Sequence, residues 1–244
     1  PMNLIIDIGN TTAKLAVFQQ KKLLILERCK SSELLNSALK IVAHYPKIDK
    51  TLIANVAELP DEVITQLSKH TQVNIFSRHF KIPFENRYKT PETLGVDRLA
   101  LVAAATQQFP KKDALIIDSG SCITYDFVTA NAEYIGGAIS PGLQMRYNAL
   151  HDYTTHLPLL QPESEPTNTG FSTATSIHSG VVYGIIHEIQ GVISSYTSNY
   201  PDLTVILTGG DANFLCKQFK ISIFANSNFL LEGLNFLLEY NSNG

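Results

Sequence analysis

The chain has 244 residues, 44% hydrophobic and 17% charged, with a net charge of −3, which provides apolar sequence for one large domain or two of about 100–130 residues and excludes a disordered chain. No Lys/Arg run exceeds a pair and the longest apolar runs, such as 99–105, fall far below the ~18 residues of a membrane span, so neither a nucleic-acid stripe nor a membrane anchor is expected. Cys29, Cys122 and Cys216 are scattered and form no C-x-x-C pair; with no signal-peptide pattern at the N-terminus, the chain reads as cytoplasmic, without disulfides or a zinc ribbon.

In chain order, Leu4-Ile5-Ile6-Asp7-Ile8-Gly9 predicts a strand, Asn10-Thr11-Thr12 a tight turn, and residues 15–18 a second strand. Leu34, Leu35, Ala38, Leu39 and Val42 recur at helical spacing behind Ser31-Ser32, the expected N-cap. A strand over 51–56, a helix opened by Pro60-Asp61-Glu62 and a strand over 73–76 complete a ββαβαβ order. A loop over 80–94 carries Pro83 and Pro91, a helix follows over 96–109, and Pro110-Lys111-Lys112 marks a boundary between 1–112 and 113–244.

The second half then repeats the first. Leu115-Ile116-Ile117-Asp118-Ser119-Gly120 matches the opening strand at five of six positions, with Asp118 lying 111 residues after Asp7, and Ser121-Cys122-Ile123-Thr124 again leads into a strand, here over 125–128. A loop over 154–170 holds three prolines, and Ile177, Val181, Ile185, Ile189, Val192 and Tyr196 form one face of a long helix. A strand over 203–207 ends in Thr208-Gly209-Gly210, and an apolar helix over 229–240 closes the chain. The sequence therefore reads as two related α/β halves.

An acid at the end of a buried apolar strand is costly unless it meets a metal, a partner or a ligand, and this chain places one twice at equivalent positions, Asp7 and Asp118. Gly9 and Gly120 allow turns whose backbone N–H groups and hydroxyls can face phosphate oxygens. No G-x-x-x-x-G-K-[ST], G-x-G-x-x-G or protein-kinase catalytic loop occurs, and Gly137 stands one residue too far from Ser140 for a nucleophile elbow. His187-Glu188 lacks the second histidine of a zinc protease and reads as a surface pair on a helix.

Paired Asp-x-Gly hairpins in a duplicated chain with a late Gly-Gly strand end resemble the actin, heat-shock ATPase and sugar/acetate kinase superfamily, in which two ribonuclease-H-like domains enclose an ATP cleft. More closely, Asp7-Ile8-Gly9-Asn10-Thr11 with Lys14, Tyr88 with Pro91, Gly95-Val96-Asp97-Arg98, Asp118-Ser119-Gly120-Ser121 with Thr124, Gly136-Gly137 with Pro141-Gly142, and Gly170-Phe171-Ser172-Thr173 before Ser179-Gly180 together resemble type III pantothenate kinase. The resemblance implies ATP-dependent phosphorylation of pantothenate, a first phosphate loop of Asp7, Ile8, Gly9, Asn10, Thr11, Thr12, Ala13 and Lys14, and a second ATP contact at Ser121. It further implies Asp97 as proton acceptor, and pantothenate held by Tyr88, Gly95, Val96, Asp97, Arg98 and Thr173. A monovalent cation, K⁺ or NH₄⁺, would bind Asp118; Mg²⁺ would bind at Asp7, directly or through water; and the protein would be a homodimer. Ser121-Cys122 stands where the family usually has Thr-Ala, and Ser172-Thr173 where it has Asn-Thr. Two other readings stay open: an inactive accessory protein of the same fold, which would be expected to lose the acids that this chain keeps, and a kinase acting on another small alcohol.

Overall fold

The computed structural model describes residues 1–9, 11–54, 59–163, 166–219 and 222–242. β1 (Met2–Ile8) is buried from its second to its sixth residue, the continuous pattern of a strand covered on both faces rather than the alternation of a half-exposed one. It pairs antiparallel with β2 (Thr12–Gln19), which pairs with β3 (Lys22–Lys30). α1 (Leu34–His44) lays Leu34, Ala38, Ile41 and Val42 on the sheet and leads to β4 (Lys50–Ala54), parallel to β1. α2 (Asp61–Leu67) then leads to β5 (Gln72–Ile75), and the sheet order is β3-β2-β1-β4-β5.

After β6 (Glu85–Asn86) and α3 (Val96–Gln108), the chain builds β7 (Ala114–Ser119), β8 (Cys122–Val128) and β9 (Glu133–Pro141) as a second antiparallel meander. α4 (Leu143–Asp152) and the 27-residue α5 (Thr173–Asn199) precede β10 (Thr204–Thr208), parallel to β7; α6 (Ala212–Cys216), β11 (Phe224–Ala225) and α7 (Phe229–Ser242) follow. The second sheet runs β11-β10-β7-β8-β9-β6. Without the short edge strand β6 it has the order of the first sheet, β7 standing for β1 and β10 for β4, so the repeat seen in six residues extends to the whole sheet. The fold is α/β with two mixed sheets, in keeping with the duplicated fold expected.

Two local expectations are corrected. Each meander has a third strand, β3 or β9, so the halves begin βββ rather than ββ. Ser31 and Ser32 do not cap α1: Ser31–Glu33 form a 3₁₀ turn, and Glu33 occupies the N-cap without a side-chain bond. α4 was not expected at all. Of the predicted strand over 51–56, residues 55 and 56 lie outside the described residues.

Packing gathers residues 1–83, 90–104 and 230–244 into one compact unit, and 84–89 with 105–229 into another. In the first unit α7 lies so close to α3 that a Cβ added to Gly233 would stand 2.1 Å from the Ala100 carbonyl oxygen. The fully buried Asn3 of β1 donates to Asn235 Oδ1 at 2.8 Å, and Asn235 donates to the Gln20 carbonyl at 2.8 Å. Buried amides persist only when so partnered, and these two fix α7 on the first hairpin. In the second unit α5 buries Ile177, Val181, Ile185 and Ile189 as predicted, and Val182, Ile186 and Ile193 besides.

Candidate active site

The first hairpin carries Asp7 one residue before the end of β1, opposite Lys14 of β2. Asp7 is 9% exposed, and the Lys14 ammonium stands 4.0 Å from its Oδ2. The turn is closed by a bond from the Gly9 N–H to the Thr12 carbonyl at 2.8 Å, so tight that a Cβ on Gly9 would approach that oxygen to 3.0 Å. Ile8 is half-buried, Thr11 and Thr12 are exposed, and Ala13 is buried; Asn10 lies outside the described residues. In the same unit Gly95 precedes α3, and Val96, Asp97 and Arg98 form its first turn. Here the helix dipole favours an acid, and the Asp97 carboxylate folds back over Gly95, where a Cβ would meet its Oδ1 at 2.5 Å. Arg98 is only 4% exposed.

The second hairpin is one residue shorter, because Ser119 pairs with Ile123 where Ile8 pairs with Ala13. Asp118 faces Thr124, and the Gly120 N–H closes the turn on the Cys122 carbonyl at 2.9 Å. Gly142, at the start of α4, packs directly on this turn. Its N–H donates to the Ser121 carbonyl at 3.2 Å, and a Cβ there would come within 2.2 Å of the Gly120 oxygen. Ser121 is exposed, and a Cβ on Gly120 would meet nothing within 4 Å, so the outer side of the turn is open.

Asp211, just beyond the Gly-Gly end of β10, was not singled out in the sequence. Its N–H donates to the Ser119 carbonyl at 3.1 Å, and its carboxylate accepts a long bond from the Ser119 hydroxyl at 3.4 Å. Gly209 adopts φ +95°, and a Cβ there would stand 2.4 Å from Asp118 Oδ1. Only glycine adopts this backbone readily, and its presence brings β10 against the Asp118 carboxylate. Among the described residues no cation pairs with Asp211, and burial raises its pKa despite the bond from Ser119.

Also in the second unit, Tyr88 stacks on the buried Tyr134 with centroids 6.1 Å apart and planes within 8°. Gly136, at φ +121°, leaves room for the Tyr88 ring, and Tyr134 donates to the buried Asp126 at 2.7 Å. Thr173 is exposed as the first residue of α5. Ser172 caps that helix by accepting from the Thr175 N–H, while the Thr175 hydroxyl accepts from the Ser172 N–H at 2.8 Å. The Ser172 departure therefore preserves an N-cap oxygen. Thr173 lines a largely apolar groove of about 940 Å³ between α4 and α5, together with Arg146, Tyr153 and Gly180. The structure thus brings Asp7 to Lys14 and Gly95 to Asp97 in one unit, and in the other sets Asp118, Ser121 and Asp211 around one turn, with Tyr88 on Tyr134 and Thr173 on the groove.

The family model for type III pantothenate kinase matches residues 3–195. A type III pantothenate kinase of Christiangramia forsetii is 48% identical over 240 residues, covering 98% of this chain and 99% of its own; that of Flavobacterium johnsoniae is 46% identical over 239 residues and 98% of each chain. Among solved structures, a Baf family transcriptional activator of Campylobacter jejuni superposes with a TM-score of 0.67 at 22% identity, covering 99% of this chain and 100% of its own. A glucokinase from an Antarctic psychrotroph superposes with a TM-score of 0.52 at 11% identity, covering 98% and 99% respectively. These two show the fold alone.

The Asp211 geometry gives a prediction with a definite sign. Because its pKa is raised above the ordinary 3.8, ionisation is harder in the folded than in the unfolded protein. It therefore removes stability as pH climbs from 3.8 through the raised value, and the loss is complete above that. Asp211→Asn keeps an acceptor for Ser119 without the charge. It should melt higher than the wild type at neutral pH, with the gain shrinking as pH falls toward 3.8. Thermal melts across that range check this, and an equal gain at every pH would exclude the charge as its cause.

Proposed function

The chain belongs to the type III pantothenate kinase family, and from that membership and the geometry above we propose that it transfers the terminal phosphoryl group of ATP to the primary hydroxyl of pantothenate, the first step toward coenzyme A. The observation that carries the reading is the pair of carboxylate hairpins, Asp7 and Asp118, at the carboxyl ends of corresponding strands in two sheets of the same order. Ligands of α/β sheets bind outside these strand ends.

Phosphoryl transfer asks a protein chiefly for positioning and charge neutralisation. The first turn offers the Gly9 region, the Thr11 and Thr12 hydroxyls and the Lys14 ammonium to phosphate oxygens, and Ser121 offers a hydroxyl from the open second turn. Asp7 and Asp118 are hard oxygen donors, and among the described residues no group of three or more His, Cys, Asp or Glu is gathered for a metal. Mg²⁺ held by one or two carboxylates and the substrate's phosphates needs no such group. Asp7 would hold Mg²⁺, directly or through water, and Asp118 would hold K⁺ or NH₄⁺. When bound, the cations offset the charge of the phosphates.

Asp97 accepts the proton of the attacking hydroxyl, its carboxylate already bent over the small Gly95. Arg98 reads the pantothenate carboxylate through its planar fork, while Tyr88, Gly95, Val96 and Thr173 hold the rest of the substrate. In this reading the repeat divides the chain into two ATPase halves, 1–112 and 113–244, while packing places residues 230–244 with the first half and 84–89 and 105–112 with the second. The protein is a homodimer in this reading. Tyr153, 89% exposed on the α4–α5 groove, and Phe171, 85% exposed two residues before Thr173, supply apolar surface that a second copy would cover.

Asp97→Asn should remain folded and bind nucleotide but lose roughly 10²- to 10⁴-fold in kcat, the usual contribution of a general base; coupled assays of ADP release with and without pantothenate measure this, and turnover near the wild type would reject the role. ADP release that ignores pantothenate would reject the substrate. Turnover should fall in buffers freed of potassium and ammonium and return with either ion but poorly with sodium; indifference would withdraw Asp118 as the cation ligand. Light scattering at micromolar concentration should give twice the chain mass, and a fully active monomer would contradict the dimer.

A further inference from the structure

Glu188 is not the surface residue that its place beside the exposed His187 suggested. Its Oε2 accepts from Arg146 Nη2 at 2.5 Å, and its Oε1 accepts from the Tyr125 hydroxyl at 2.7 Å. Arg146 also donates through Nε to the Pro141 carbonyl at 2.9 Å and through Nη2 to the Ser140 hydroxyl at 3.1 Å. One ion pair therefore ties α5 to α4, to β8 and to the last residues of β9. The side chains are 21% and 27% exposed, so the pair is shielded in a way that surface pairs are not. Burial works to raise the Glu188 pKa, but the bonds from Arg146, Tyr125 and Ser140 outweigh it and hold the carboxylate below its ordinary range. Burial and the same carboxylate push the Tyr125 phenol far up, which keeps it a donor.

The residues that Arg146 grips are next to the second turn. Pro141 faces Cys122 across the β8–β9 ladder, and the following residue, Gly142, donates to the Ser121 carbonyl. The 2.2 Å that would separate a Gly142 Cβ from the Gly120 oxygen leaves no slack between the α4 start and that turn. At the far end, Glu188 sits on the helix whose first residue is Thr173. A continuous chain of contacts thus runs from α5 through Glu188, Arg146, Pro141 and Gly142 to Ser121, the physical requirement for one element to set the position of another.

We propose that the Arg146–Glu188 pair is a positioning pair for phosphoryl transfer, fixing the Ser121 turn on α5 so that its hydroxyl meets the nucleotide in one geometry. The proposal rests on Ser121 being a nucleotide contact. Neither Arg146 nor Glu188 needs to touch ATP, and their effect on it passes through the β9–α4 junction.

Steady-state kinetics of purified Arg146→Met, Glu188→Gln, Arg146→Lys, Ser121→Ala and the combination of Arg146→Met with Ser121→Ala test this, each protein's folding being checked by thermal melting. Arg146→Met keeps the apolar stem on the groove, and Glu188→Gln keeps an acceptor for Tyr125, so the second is available should the first fail to fold. Both should raise the ATP KM about tenfold, the scale of one charge-assisted hydrogen bond, with kcat falling less than about threefold. A merely structural lesion would lower the amount of active enzyme and leave that KM alone. Arg146→Lys, which keeps the charge but not the fork, should recover part of the loss. The combined variant should be no worse than Ser121→Ala alone, because both act on one contact. An unchanged ATP KM in Arg146→Met and Glu188→Gln, with Ser121→Ala impaired, would overturn the coupling and leave the Ser121 reading standing. Independent, multiplying losses in the combined variant would overturn it equally. An unaltered ATP KM in Ser121→Ala would remove the Ser121 reading itself, and the positioning role with it.

Discussion

An ionisable acid at the end of a strand buried on both faces is the constraint around which this molecule is arranged. β1 and β7 are continuous apolar runs buried along most of their length, each between one antiparallel and one parallel neighbour, and such strands give a carboxylate little water. The chain turns through small residues within two positions of each acid, with the Lys14 ammonium beside the first carboxylate and Gly209 packed against the second. Gly9, Gly120, Gly142 and Gly209 follow from this, since each stands where a Cβ would fill the turn or collide with what closes it, except Gly120, whose outward side is open. The same sheet order in both halves then places the two acids at matching strand ends.

That much was legible in the sequence because it is local. The repeated Leu-Ile-Ile-Asp strand, the glycine two residues after each acid and the helical stripe from Ile177 to Ile189 are all short-range patterns with direct physical meaning. β3 was missed because Leu23 to Leu26 form an apolar run that passes into Glu27 and Arg28, neither alternating cleanly nor ending in a turn, as befits an edge strand only half covered. α1 begins without the serine cap because the chain enters it through a 3₁₀ turn, whose own hydrogen bonds use the backbone the serines would have served. The packing of α7 against α3 and β1 joins residues more than 130 apart in sequence, such as Gly233 and Ala100, and no local pattern announces a contact at that separation.

The missed site residues share a different cause. Asp211 reads in sequence as an ordinary turn acid after Gly-Gly, and its meaning arises only when β10 is laid beside β7 so that the acid arrives at Ser119. Glu188 lies one residue from an exposed histidine, yet on a helix adjacent residues point about 100° apart, so His187 faces solvent while Glu188 reaches Arg146 and Tyr125. Arg146 itself belongs to a helix the sequence did not declare. A polar network spanning four elements is a property of the assembled sheet and helices, and its members look unremarkable one at a time.

The two hairpins share a plan and differ in the residue that faces each acid. Opposite Asp7 the first hairpin places Lys14, its ammonium 4.0 Å from the carboxylate; a turn with a cation on its flank attracts phosphate and tempers the repulsion between phosphate and acid. At the corresponding register the second hairpin has Thr124, and the strand on its other side delivers Asp211, a second acid whose burial already disfavours its charge. The second hairpin therefore has a hydroxyl where the first has an ammonium, and an acid bonded to its Ser119. The two copies of one element thus differ in the side chain that faces each acid, an ammonium at Asp7 and a hydroxyl at Asp118, a difference that the common strand order does not determine and that each local sequence supplies.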